Sequence, residues 1–215
     1  MRSIILDNKR FYTLWFITML VVGCILPFTE KGDFSLWLNF RNNWFYDVFF
    51  RYATWMGDGV VIGIICLVLL FVRLGWGITA TVVSFFSAFF VSLIKKQVNA
   101  PRPSVVFENM DVHYVKGLDL YKNFSFPSGH TAAAFTMFLL LSAFVKDKRY
   151  TYLFFFLAVI VAVSRVYLLQ HFLIDVYFGA LFGVIFGTLL YWPFATLPTF
   201  KKKWANWTII RSNKL

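Results

Sequence analysis

Residues 164–175 read S-R-V-Y-L-L-Q-H-F-L-I-D, a polar insert between two apolar runs, and its reading decides the rest of the chain. Ser164-Arg165 closes one run, and His171 and Asp175 open the next. Four residues apart, His171 and Asp175 share a face one turn apart on a helix. A carboxylate in that position accepts from one imidazole nitrogen, sets the tautomer and leaves the other nitrogen free to attack. Arg165 adds a planar, permanently charged fork suited to phosphate oxygens. Alone, the stretch describes an anion site.

The surroundings are those of a membrane protein. Of 215 residues, 60% are hydrophobic and only 14% charged, with a mean hydropathy of +0.69. That composition excludes disorder and argues against a soluble domain with one core. Twenty-eight Phe, eight Trp and ten Tyr suit lipid-facing and interfacial surfaces. The net charge of +11 would suggest nucleic acid in a soluble chain. Here its distribution bears on topology, and no nucleic acid partner is expected. Cys24 and Cys66 lie in apolar runs without metal-ligand spacing and read as small hydrophobes.

The expected fold is all-α, a single integral-membrane domain with six transmembrane helices. Phe11 to Phe28 is an uncharged run of 18 residues ending without a small-x-small cleavage site, so it reads as a retained first span. Leu36 to Arg51 carries Trp37, Phe40, Trp44, Val48 and Phe49 at helical spacing and predicts an amphipathic helix in the interface. The second span covers 52–72, with Asp58 near its mouth, and the third covers 74–94. Lys95 stands at the membrane edge, and a polar loop follows to Phe126. Spans at 129–145, 150–166 and 171–192 complete the set. Lys146-Asp147-Lys148-Arg149 forms a tight turn between two of them, and residues 201–215 form a basic tail.

Alternating these spans gathers the head, Arg73, the 146–149 turn and the tail on one side, with 12 Lys and Arg against 2 acids. The other side has 9 against 8. The positive-inside rule then places both termini in the cytoplasm. Lys95, the long loop and His171 share the outer side of what reads as a bacterial cytoplasmic membrane.

Three segments meet at that outer edge. The first is Lys95 followed by Arg102-Pro103. The second is Pro127-Ser128-Gly129-His130, and the third is the 164–175 stretch. Lys95, Arg102 and Arg165 would repel one another at low dielectric unless an anion joins them. At the start of the fourth span, free backbone N–H groups and the positive end of the helix dipole favour a phosphate oxygen. Ser128 caps that helix or donates to the ligand, and Gly129 lets the backbone approach. His171, with its carboxylate partner, is the better nucleophile. His130, on the phosphate-binding turn, is the better proton donor to a leaving oxygen. His113 has no partner in this pattern and reads as a solvated loop residue.

Lys95, Arg102 and Pro103, then Pro127, Ser128, Gly129 and His130, then Ser164, Arg165, His171 and Asp175 together resemble the signature of the type 2 phosphatidic acid phosphatase family. The superfamily also holds glucose-6-phosphatase, soluble bacterial acid phosphatases and vanadium haloperoxidases. All eleven letters are present in order. The six-span layout is similar to the integral-membrane branch. The resemblance implies a metal-independent phosphatase that needs no cofactor and passes through a phosphohistidine. His171 would be the nucleophile, Asp175 its orienting partner and His130 the acid, then base. Lys95, Arg102, Ser128, Gly129 and Arg165 would hold phosphate oxygens.

A site at the membrane edge suits a lipid phosphate or diphosphate whose tail stays in the bilayer. Undecaprenyl diphosphate is the favoured substrate, ahead of phosphatidylglycerophosphate, phosphatidic acid and lipid A phosphates. The alternatives are a lipid phosphotransferase and a non-catalytic lipid-phosphate binder. A haloperoxidase shares the anion site but fits six spans poorly. Nothing in the sequence sets an oligomeric state.

Overall fold

The structure, a computed structural model, describes residues 2–198 and 203–208. Most of the expected basic tail lies outside the described residues. What is described is helical, about 75% of it, with no strand. A short helix α1 (Arg2–Asp7) leads into α2 (Lys9–Ile25), and α3 (Asp33–Asn39) and α4 (Trp44–Ala53) follow. A 3-10 turn, Thr54–Gly57, precedes α5 (Gly59–Val72) and α6 (Leu74–Val98). The chain then runs through α7 (Pro103–Val106) and an irregular loop to α8 (Gly129–Phe144), α9 (Tyr150–Tyr167) and α10 (Leu173–Thr196).

Helix α8 is the centre. Eleven of its sixteen residues are buried, and it packs against α6, α9 and α10. Small residues permit the close approach that apolar helices need where lipid removes the hydrophobic drive. Gly179, Gly183 and Gly187 recur one turn apart on α10. A Cβ on Gly179 would sit 2.7 Å from the Ser128 carbonyl oxygen, and one on Gly183 would sit 2.5 Å from that of Ala132. Hydroxyls tie the same helices together: Thr136 Oγ1 donates to the Gly183 carbonyl at 2.9 Å and pairs with Ser87 Oγ at 3.0 Å. Asn8, expected in a polar head, is buried at 3% exposure. Its amide donates to the Leu139 carbonyl and its oxygen accepts from Ser142, so the head plugs the base of the bundle.

Among the described residues, four helical stretches are long and apolar enough to cross a membrane: Lys9–Phe28, Leu74–Val106, Tyr150–Tyr167 and Leu173–Thr196. These are the helices of an integral membrane protein. A fifth candidate is the pair Trp44–Gly57 and Gly59–Val72, bent by 55°. The expected second span from residue 52 is therefore broken at Asp58, whose carboxylate caps α5 by accepting from the Val60 N–H at 2.8 Å. With 14 residues, α5 spans only about 21 Å. Helix α8 is apolar but also short.

Two other boundaries move. The expected interfacial helix over 36–51 is two helices. Asn42 bonds back to the Asn39 carbonyl, and Asn43 caps α4 by accepting from the Tyr46 N–H at 2.9 Å. Side-chain amides that compete for the backbone in this way end helices. The last helix does not stop at 192 but runs through Pro193 to Thr196. One lost hydrogen bond is tolerated where neighbouring groups compensate.

Candidate active site

Arg165, in the last turn of α9, is 7% exposed, and its Nη1 donates to Thr54 Oγ1 at 2.8 Å. Beyond α9 the chain makes a tight turn in which Leu169 adopts φ 52°. The Gln170 and His171 N–H groups both donate to the Arg165 carbonyl, at 3.0 and 3.1 Å. His171 therefore lies before α10, not on it. Asp175, in the first turn of that helix, accepts from the Phe172 N–H at 2.9 Å and from Ser125 Oγ at 2.5 Å. The expected pairing along one helical face is thus replaced by a turn folded onto a helix start. His171 Nδ1 faces Asp175 Oδ2 at 3.7 Å, which leaves Nε2 as the free nitrogen.

The turn before α8 is joined to this unit through backbone. The Ser128 N–H donates to the Asp175 carbonyl at 2.9 Å. Ser128 is fully buried, and its Oγ accepts from Thr131 Oγ1 at 2.9 Å and from the Thr131 N–H at 3.4 Å. Its oxygen accepts both bonds and caps α8. Beside it, a Cβ on Gly129 would meet only Lys95 Nζ, at 3.8 Å, so the space over the start of α8 opens toward the ammonium of Lys95. Lys95 itself stands in the last turn of α6.

Arg102, 8% exposed, is held from several sides. Its Nε donates to the Asn123 carbonyl at 2.9 Å, and its Nη1 donates to the backbone and side-chain oxygens of Gln170 at 3.1 and 3.2 Å. The guanidinium lies over the Tyr121 ring, 5.1 Å from its centre. Arg102 thereby ties the loop segment 121–124 to the turn that carries His171. Burial is the first cause that holds the His171 imidazole well below its usual pKa, followed by the charges of Arg165, Arg102 and Lys95. The three cations thus converge on a neutral ring that is 1% exposed. Two buried nitrogens here have no hydrogen-bond partner among the described residues, Arg165 Nε and His171 Nδ1. The His171 Nδ1 has the Asp175 carboxylate 3.7 Å away, whereas the buried Arg165 Nε is a donor that a ligand oxygen can satisfy.

His130 occupies the mouth, 31% exposed, with Nε2 3.6 Å from Asp58 Oδ2. Sequence reasoning gave Asp58 no role, and it did not find Ser125, Thr54 or Gln170. A lone carboxylate at the edge of an apolar run was the one available signal for Asp58. The others act through tertiary contacts with no spacing pattern. His113 is not merely solvated. Its Nε2 pairs with Asp47 Oδ2 at 2.8 Å, while Tyr167 donates to Asp47 Oδ1 at 2.6 Å. The His113 backbone is bonded on both sides to the buried Asn39 side chain. These contacts fasten the loop to α3, to α4 and to the end of α9, one residue before the His171 turn.

The family model described as the PAP2 superfamily matches residues 74–197, a span that holds all eleven residues of the three segments. The crystal structure of Aquifex aeolicus LpxE superposes with a TM-score of 0.67 at 29% identity, covering 74% of this chain and 93% of that one. No curated protein matches the chain.

Proposed function

The chain belongs to the PAP2 superfamily, and from that premise we propose that it is a lipid phosphatase working through a phosphohistidine at the outer face of a bacterial cytoplasmic membrane. The observation that carries the reading is His171. It is a neutral, buried imidazole with one nitrogen facing Asp175 and three cations around it. When a phosphate enters, Lys95, Arg102 and Arg165 balance its charge, and the first turn of α8 from Gly129 offers backbone N–H groups to an oxygen, the Ser128 N–H being held by the Asp175 carbonyl. His171 Nε2 forms a bond to phosphorus as the bond to the leaving oxygen breaks, and His130 gives that oxygen a proton. Asp175 orients the ring and stabilises the positive charge that develops on it. In the second half, His130 takes a proton from water as its oxygen bonds to phosphorus and the N–P bond breaks. No metal or cofactor takes part in this scheme.

Six spans with both termini cytoplasmic is the arrangement we assign, with the bent α4–α5 pair and the short α8 counted as spans. The charge asymmetry of the loops supports it. Among lipid phosphates we favour undecaprenyl diphosphate, since a long polyprenyl tail fits a site at the membrane edge. Phosphatidylglycerophosphate, phosphatidic acid and lipid A phosphates are the competitors. The test is phosphate release by detergent-purified protein in excess EDTA across these lipids, with His171→Ala as control. Metal-independent release that vanishes in the variant is expected, and the fastest substrate names the pathway. Release by the variant at the wild-type rate overturns the mechanism. Phosphate that appears only on an added acceptor lipid makes the protein a phosphotransferase.

A further inference from the structure

The 3-10 turn Thr54–Gly57 lies against the start of α8 so closely that a Cβ on Gly57 would meet the His130 carbonyl oxygen at 2.5 Å. Only glycine permits this contact, and it sets the next residue, Asp58, beside the His130 ring. The two oxygens of Asp58 have separate tasks. Oδ1 caps α5 through the Val60 N–H at 2.8 Å, and Oδ2 lies 3.6 Å from His130 Nε2. Both side chains are partly open to the mouth, at 31% for His130 and 42% for Asp58.

The other charged or titratable groups that act on His130 are Arg165, Lys95 and Arg102, from α9, α6 and the segment after it, and His171. The three cations repel an imidazolium, yet a proton donor must be one. Asp58 is the carboxylate in ion-pair range of the ring among the described residues. Catalytic hydrogen bonds are commonly long in ligand-free sites and shorten in the complex, and 3.6 Å is within that reach.

We propose that Asp58 is a positioning residue for His130. Its carboxylate accepts the Nε2–H, turns Nδ1 toward the leaving oxygen and stabilises the protonated ring against the surrounding cations. This rests on the reading of His130 as the acid. As the leaving P–O bond breaks, the proton moves from Nδ1 to the departing oxygen, and Asp58 stays ionised. Water returns a proton to Nδ1 in the second half, so the cycle closes without net change. Asp58 is thereby the counterpart of Asp175, with one carboxylate for each histidine.

The experiment compares Asp58→Asn with His130→Asn on two phosphates: para-nitrophenyl phosphate, and the faster of phosphatidic acid and phosphatidylglycerophosphate. Asparagine caps helices about as well as aspartate, so α5 keeps its start and the charge alone is removed. Expected for Asp58→Asn is a kcat loss of about tenfold to hundredfold on the alkyl phosphate with KM little changed. The basic limb of its kcat–pH profile should move to lower pH. Single-turnover release of nitrophenolate, which needs no proton, should stay near the wild-type rate. Asp58→Glu, which keeps the charge, should recover part of the alkyl rate and serves if the asparagine variant melts early. If His130→Asn shows this leaving-group selectivity and Asp58→Asn does not, Asp58 only caps α5 and the proposal fails while the acid role of His130 stands. If His130→Asn slows both substrates equally, the acid role fails too.

Discussion

His171 carries a neutral imidazole into a nest of cations, and the sign of that arrangement has consequences for pH. Its native pKa is depressed by burial first and by Arg165, Arg102 and Lys95 after it, whereas in the unfolded chain it returns to about 6.5. Between those values the unfolded chain binds a proton that the native one does not. The stability tied to this group is therefore intact above about pH 6.5 and is lost progressively as pH falls toward the native value. On the proposed mechanism, the nucleophile stays available through the range where an ordinary histidine protonates. Ring-labelled histidine NMR of the ligand-free protein, assigned with His171→Asn, should show the His171 resonance in its neutral position as pH passes through about 6.5. Titration at that value would mean that the ring is neither buried nor surrounded by the cations. At this scale the spacing of His171 and Asp175 announced a pair, but not how the pair is made. Asp175 reaches His171 because the same carboxylate caps α10 through Phe172 and accepts from Ser125. Ser125 carries no mark of this in the sequence.

Among the elements, α8 and α10 form the joint that holds the Ser128-Gly129 turn against the His171 turn. Their backbones approach because Gly179 and Gly183 present no side chain to the Ser128 and Ala132 carbonyls. Gly183→Ala would place a methyl 2.5 Å from the Ala132 oxygen and should cost on the order of 1–3 kcal/mol, seen as a lower Tm in detergent. Gly63→Ala on α5 is the control, since a Cβ there meets nothing within 4 Å. It should leave Tm unchanged or raise it, because alanine is favoured over glycine in helices by about 1 kcal/mol. Equal effects at both positions would remove the close-approach argument. The apolar runs behind these helices are plain in the sequence. Their ends are less so, because the break at Asn42-Asn43 depends on side chains bonding to backbone, and the passage of α10 through Pro193 depends on packing around it.

On the whole molecule, 12 of the 21 Lys and Arg fall on the side assigned to the cytoplasm, with only 2 acids. The site residues occupy the opposite end of the helices. Single cysteines placed at Asp111 in the long loop and at Arg149 in the 146–149 turn, with Cys24 and Cys66 replaced by alanine, test that assignment in spheroplasts. A membrane-impermeant maleimide should label position 111 in intact cells and position 149 only after permeabilisation. The reverse pattern would put the site in the cytoplasm and exclude an outer-face substrate. Labelling of both in intact cells would overturn the span count.

Membrane character, the apolar helices and the family were all legible in the chain itself. Each rests on local composition or on short spacings: uncharged runs, charges at their ends, and polar letters that have no other reason to sit at a membrane edge. The tertiary structure alone decided how those letters are held. It pairs Asp58 with His130, Thr54 with Arg165, Gln170 with Arg102 and Ser125 with Asp175, and it clamps the loop through His113 and Asp47. These contacts join residues far apart in sequence, or brought together by turns whose geometry no periodicity encodes. The physical reason is that a buried charge must find its partners wherever the packed helices deliver them.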